Sequence, residues 1–274
     1  MKYSEFEEVD RASEIRHPIL RETLCRHWNG APLEIASIAD VPAGTGMGSS
    51  GAFTVNVLKA LALAKGISTT PGRLAEQACE IEIDILKEPV GKQDQYVSAH
   101  GGICSYTFNP DGSVEVEPLE LSPQTLSNLR NNFLLFYTGE ARSASKVLAD
   151  QVERTEAADE EMLANLDRTK EIGYQSRDLL LEGDLDGYGE LMHVHWENKR
   201  KRSPGMVNAR IDDLYTLARR AGAIGGKLVG AGGGGFLLVY VHHPEDVRQA
   251  MAAAGAPELP FDFEFQGCSG TVYA

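Results

Sequence analysis

The chain has 274 residues, 42% of them hydrophobic and 24% charged, a balance that fits a folded globular protein of one large domain or two modest ones. A formal net charge of −14 argues against nucleic acid as the main partner, because phosphate backbones select basic surfaces, whereas a small anion is still compatible with a local nest of N–H groups. No apolar run reaches membrane length, no secretory leader follows Met1, and Cys25, Cys79, Cys104 and Cys268 form no C-x-x-C pair, so the reading is a cytoplasmic, membrane-free protein with buried, inert thiols.

Residues 33 to 41 (LEIASIADV) alternate well enough to predict a strand leading into VPAGTGMGSSGAF (41 to 53). Phe53, Val57, Leu61 and Ala64 then recur at helical spacing until Gly66, with Ser49 and Ser50 placed to cap that helix. Strand, glycine loop and helix start together put bare N–H groups and a positive dipole end where an anion can sit; a plain turn is the competing reading. Two familiar loops fit badly. A Walker loop needs Lys before Ser/Thr, and Gly48 stands there; a dinucleotide fingerprint wants glycine at Ser49.

A second helix is predicted after Thr70, with Pro71 in its first turn and an apolar stripe of Leu74, Ala78, Ile81 and Ile85. Glu82 lies at the edge of that stripe, where it faces either solvent or a cleft. EPVGKQDQY (88 to 96) reads as irregular, and its Asp94 is either a turn former or a base aimed into a cleft. Two carboxylates near an anion loop would suit magnesium-binding and base roles in phosphoryl transfer.

A hairpin follows, with strands at 103–108 and 114–119 around an N-P-D-G turn, and the polar stretch 122–132 is the candidate boundary. Beyond it come a buried strand at 133–137, helical patterns to Arg202 and at 207–221, a glycine-dense hairpin at 225–241, a helix near 244–254 and strands near 261 and 271, the order of a ferredoxin-like domain. The run EAADEE (156 to 161) reads as a solvated helix face. GKLVGAGGGGF (226 to 236), six glycines in eleven residues, is either a tight hairpin or a second loop for close backbone approach. His193 and His195, two apart on a helix, cannot share one metal ion. The run Lys199 to Arg202 (KRKR) reads as a solvated helix end, with a substrate-phosphate contact as the alternative.

Together, P-A-G-T-G-M-G-S-S (42 to 50), G-K-Q-D-Q (91 to 95) and G-A-G-G-G-G-F (230 to 236) resemble the three motifs of the GHMP small-molecule kinases, in the family's order and spacing. More narrowly, EIRHPI (14 to 19), IEIDILKEPVGKQDQY (81 to 96), FYTGEARSA (136 to 144) and HWENKRKRSPG (195 to 205) resemble the heptose 7-phosphate kinase branch. The resemblance implies an α+β fold, a ribosomal-protein-S5-like domain at 1–124 and a ferredoxin-like domain at 125–274, with ATP and Mg2+ as cofactors. It assigns Pro42, Gly44, Gly46, Gly48, Ser49 and Ser50 to the ATP phosphates, Ser50 and Glu82 to magnesium, and Asp94 to the base. Asp94, Gly232 and Gly233 would meet a sugar phosphate phosphorylated at its anomeric hydroxyl. Arg142, just after the buried strand, is the first candidate to grip the distal phosphate, because a guanidinium can do so bidentately; a surface charge at a helix start is the competing reading. A fucose- or galactose-type 1-kinase and a catalytically impaired sensor are the rivals, and a homodimer is one candidate assembly. The family's first motif, a strand with a basic residue, has no counterpart in this sequence, so the first domain is expected to lack strands and expose apolar surface.

Overall fold

A computed structural model describes residues 6–42, 44–139, 144–202 and 206–273, in two compact units. The first comprises the described residues up to Asp40 with Gly48–Gly102 and the segment from Glu264, and is helical: α1 (Pro18–His27), α2 (Ser49–Ala64), α3 (Pro71–Cys79) and α4 (Gln93–His100). Leu24 of α1 packs on Val57 and Leu61 of α2, with Trp28 and Phe53 at the margin. Chemistry legible in the sequence sets the ends of these helices. Thr70 accepts from the Arg73 N–H ahead of Pro71, and α2 stops in a Schellman turn, where Gly66 (φ +66°) donates to Leu63 and Ile67 to Ala62.

Four expectations for this unit need correction. Residues 33–41 form no strand: a strand needs a neighbour for its backbone groups, and no described residue pairs with this segment, whose Ile38 is 82% exposed. Ser49 and Ser50 do not cap α2; they are its first two residues, and Gly48 holds the cap position. Asp94 is not in a loop, since α4 starts at Gln93. After Cys79 the winding loosens into a π-helical turn (Glu80–Ile85), with Leu86 N–H donating to Ile81, which rotates the following side chains off the 3.6-residue phase.

The second unit, Val41–Met47 with Ile103–Phe263, holds both sheets of the described chain, so the protein is α+β. Strands β1 (Cys104–Phe108) and β2 (Val114–Pro118) form the expected hairpin. The polar stretch after it is helical: in α5 (Pro123–Asn132), Ser122 caps by accepting from Thr125 N–H. β3 (Phe133–Tyr137) leads into α6 (Ala144–Glu156), α7 (Glu160–Glu182), α8 (Leu185–Lys199) and α9 (Ala209–Arg220), then β4 (Ala223–Leu228), β5 (Phe236–Val241) and α10 (Pro244–Ala253). The sheet order is β3-β5-β4, antiparallel throughout, and its Leu134, Phe136, Leu237 and Val239 join Trp196, Ile211 and Leu214 in the core.

No strand forms near 261 or 271. On the side of β3 away from β5, the described segment 257–259 makes a bridge, Phe136 to Glu258, flanked by hydrogen bonds from Tyr137 to Pro257 and from Leu259 to Leu135. The acidic run is not one helix face: exposed Glu156 ends α6, residues 157–159 turn, and exposed Glu160 and Glu161 open α7, with Asp159 capping α7 and pairing with Arg154. Of the four free cysteines only Cys79 is buried, its thiol pushed up to about 12 by desolvation, while Cys25 is exposed. No described helix is long and apolar enough to cross a membrane.

Candidate active site

The glycine loop has two halves, one in each unit. In the second unit, Val41–Met47 lies backbone to backbone on the other glycine-rich segment. A Cβ on Gly230 would stand 2.5 Å from the Gly46 carbonyl, and one on Gly46 2.9 Å from that of Val229. Thr45 is buried there; its hydroxyl donates to the Pro42 carbonyl, and the Thr138 N–H and hydroxyl both donate to Gly235. Side chains on either segment would force them apart, so close approach, not turn geometry alone, explains the glycines. Gly232 and Gly233 are buried, and Gly233 N–H donates to Met206.

The other half, from Gly48, opens α2 in the first unit. Gly48 has φ +67°, and no side chain caps the helix or places an acidic group in its first turn. The N–H groups of this positive helix end therefore have no cap from a side chain of the helix itself. Where Gly48 lacks a Cβ, the Asp94 carboxyl is found instead: a Cβ built there would lie 3.0 Å from Asp94 Cγ. Gly51 repeats the device one turn along, since its Cβ would be 3.0 Å from both Asp94 Cβ and the Gln95 N–H nitrogen. Two missing methyl groups let α4 close on the α2 N-terminus. Asp94 is exposed as a residue, yet desolvation on its inner side holds its carboxyl above the usual aspartate range.

Gln95, next along α4, points inward and donates through Nε2 to Glu82 Oε1 at 2.9 Å. Glu82 is 1% exposed, the cleft outcome rather than the solvent one, because the π turn carries it inward. Among the described residues Glu82 makes no ion pair and Gln95 Oε1 has no hydrogen-bond partner. A buried carboxylate beside an unused carbonyl is a donor set that a hard divalent cation fits. Among the described residues no cluster of three or more His, Cys, Asp or Glu could hold a metal alone, so such an ion would draw its remaining ligands from phosphate oxygens, hydroxyls or water.

The structure therefore brings together Gly48, Asp94, Gln95 and Glu82, with Ser49 and Ser50 opening the same helix, and separately Pro42, Thr45 and Gly46 with 229–235. Arg142 lies outside the described residues. Sequence reasoning missed Gln95, although the alternation of exposed Asp94 with buried Gln95 and Tyr96 follows once α4 is recognised. It also misjudged the basic run. Lys199 is 5% exposed, and its Nζ donates to the carbonyls of Leu228, at 2.9 Å, and Gly230. Met192, Trp196 and Lys199 share the spacing of one buried helix face, which was the available signal.

Family models match along both parts of the chain: the GHMP kinases N-terminal domain over residues 17–102 and the GHMP kinases C-terminal domain over 176–257. The chain belongs to the GHMP kinase family. It is 30% identical over 227 residues to a D-glycero-alpha-D-manno-heptose 7-phosphate kinase of Campylobacter jejuni, covering 83% of this chain and 66% of that protein. It is also 30% identical over 220 residues to a bifunctional fucokinase/GDP-fucose pyrophosphorylase of Arabidopsis thaliana, covering 79% of this chain and 21% of that one. A solved D-glycero-D-manno-heptose 1-phosphate kinase from Bacteroides thetaiotaomicron superposes with a TM-score of 0.70 at 26% identity, over 94% of this chain and 74% of that one. The chain thus spans just under two thirds of the Campylobacter relative and about a fifth of the plant one.

Proposed function

We propose that this protein is an ATP-dependent sugar kinase that phosphorylates the anomeric hydroxyl of a sugar phosphate, D-glycero-D-manno-heptose 7-phosphate being the first candidate, with its two domains dividing near residue 124. The observation that carries the reading is the Asp94 carboxyl seated in the space left by Gly48, at the uncapped start of α2. An anion cradle and a base on adjoining helices are what phosphoryl transfer to a hydroxyl requires.

In this reading Gly44, Gly46 and Gly48 let the backbone approach the ATP phosphates, and Ser49 and Ser50 add N–H groups and hydroxyls at the positive end of α2. Asp94 accepts the proton of the sugar hydroxyl as its oxygen bonds to the γ-phosphorus and the bond to the β-phosphate oxygen breaks, releasing ADP. The raised pKa makes Asp94 a stronger base than an ordinary aspartate. Ser50 and Glu82 would hold Mg2+, which supplies neutralisation of charge on the phosphates. Gln95 fixes the Glu82 carboxylate through its hydrogen bond. The Campylobacter relative's name supports a heptose phosphate as acceptor, and the plant relative's supports free fucose as the second reading. Coupled detection of ADP with a panel of free and phosphorylated sugars tests both. Turnover on heptose 7-phosphate above that on fucose or galactose is the expected result; the reverse order would replace the first candidate with the second.

A further inference from the structure

The second unit holds a group of cations that this proposed chemistry leaves unused. Lys199 ends α8, Lys227 lies on β4, Arg202 follows α8, and His195 sits one turn before Lys199. Lys227 Nζ is 3.5 Å from His195 Nδ1, and the Arg202 guanidinium donates to Asn165 Oδ1 at 2.9 Å and Thr169 Oγ1 at 2.7 Å, both neutral. Among the described residues none of the three cations is paired with a carboxylate. Of the nearby acids, Glu197 and Asp212 pair with Arg200 and Asp159 with Arg154, while Glu161 lines the same cavity as Arg202. Desolvation and mutual repulsion lower Lys199 well below the usual lysine value, Lys227 to about 8 and His195 to about 3.

A fold gains nothing by collecting like charges away from water unless something of opposite sign completes the set. Lys227, His195 and Arg202 are partly buried, and buried Lys199 donates to two backbone carbonyls behind them. The cluster adjoins the glycine segment through the bond from Lys199 to Gly230. We propose that Lys227, Arg202 and Lys199, with neutral His195 as a further hydrogen-bonding group, form a subsite for a phosphate monoester dianion, the non-reacting phosphate of the acceptor sugar. This rests on the sugar-phosphate kinase reading above and names the part of the chain that would select a phosphorylated over a free sugar. Lysine and arginine donors to phosphate are charge-assisted, and each removed contact should cost about tenfold to a hundredfold.

The test compares Lys227→Met and Arg202→Gln with the parent by two readouts. In kinetics, the ratio of kcat/KM for heptose 7-phosphate to that for the same heptose without phosphate should fall at least tenfold in each variant, with KM for ATP unchanged. An unchanged ratio overturns the subsite, and an equal rise in KM for ATP overturns it in favour of a nucleotide-phosphate contact. Independently of turnover, inorganic phosphate should raise the parent's unfolding midpoint above that in chloride of equal ionic strength, and Lys227→Met should reduce the rise to the part due to the glycine loop. Equal rises in parent and variant overturn the proposal. If the parent phosphorylates no sugar phosphate but the phosphate-dependent rise is so reduced in Lys227→Met, the kinase reading fails and the anion site stands.

Discussion

Asp94 is both desolvated on its inner side and required, in the proposed chemistry, to be ionised. These two demands pull in opposite directions, which makes the residue testable twice. Asp94→Asn keeps the shape and removes the base, so kcat should fall by about 10²–10⁴ with nucleotide affinity little changed. The same variant should raise the unfolding midpoint slightly at pH 7. Because the folded-state pKa is raised, folding favours the protonated carboxyl, and the stability it lends at low pH is lost as pH rises through that pKa. For the same reason the acid limb of kcat/KM should fall at a higher pH than an ordinary aspartate would give. A limb in the normal aspartate range, or full turnover in Asp94→Asn, removes Asp94 from the role of base. Gly48→Val asks a separate question at the same contact. It places a β-branched side chain at φ +67°, with its Cβ 3.0 Å from Asp94 Cγ. The αL conformation alone costs about 1–2 kcal/mol. Calorimetry should show ATP binding lost from a protein that still folds, and unchanged ATP affinity would clear the loop of the phosphate role.

The elements join through Gln95, the side chain that links α4 to the π-helical turn bearing Glu82. Gln95→Leu removes the donor to a buried carboxylate and should cost about 1–3 kcal/mol in urea unfolding. Magnesium with ADP should recover part of that loss if Glu82 is a metal ligand, and identical losses with and without the ion would separate Glu82 from the metal. These contacts also show which structure the sequence carried openly. The ends of α3 and α2 were readable because Thr70, Pro71 and Gly66 act on their own neighbours. The β1–β2 hairpin was readable because its turn residues lie between its strands. Glu82 was named as a candidate, but whether it faced solvent or a cleft stayed open because helical phase was counted at 3.6 residues per turn across a segment wound as a π turn. Strands at 33–41, 261 and 271 were over-read, since alternation describes a strand's faces and says nothing about whether a partner lies beside it. The cation cluster was hidden for a further reason: Lys227 is 25 residues from Arg202, and only the sheet brings it to the end of α8.

At the scale of the whole molecule, charge and exposed apolar surface act against each other. A net charge of −14 makes copies of the chain repel, while Leu33, Ile35 and Ile38 stand exposed on a segment whose backbone makes no hydrogen bond to a described residue. Unpaired extended backbone with apolar side chains is a template for pairing between chains. Repulsion between exposed charges weakens as salt shortens the screening length, from about 30 Å at 0.01 M to about 8 Å at 0.15 M, while the apolar contact does not weaken. Self-association should therefore increase with sodium chloride, the reverse of an assembly held by ion pairs. Ile38→Lys, at the most exposed apolar position of the segment, should reduce it by placing a charge on the pairing edge, and turnover should not change because Ile38 is 82% exposed and is none of the proposed site residues. Sedimentation velocity of parent and variant at low and physiological salt measures both effects. Association that falls with salt, or that Ile38→Lys leaves untouched, would place the contact between copies on another surface.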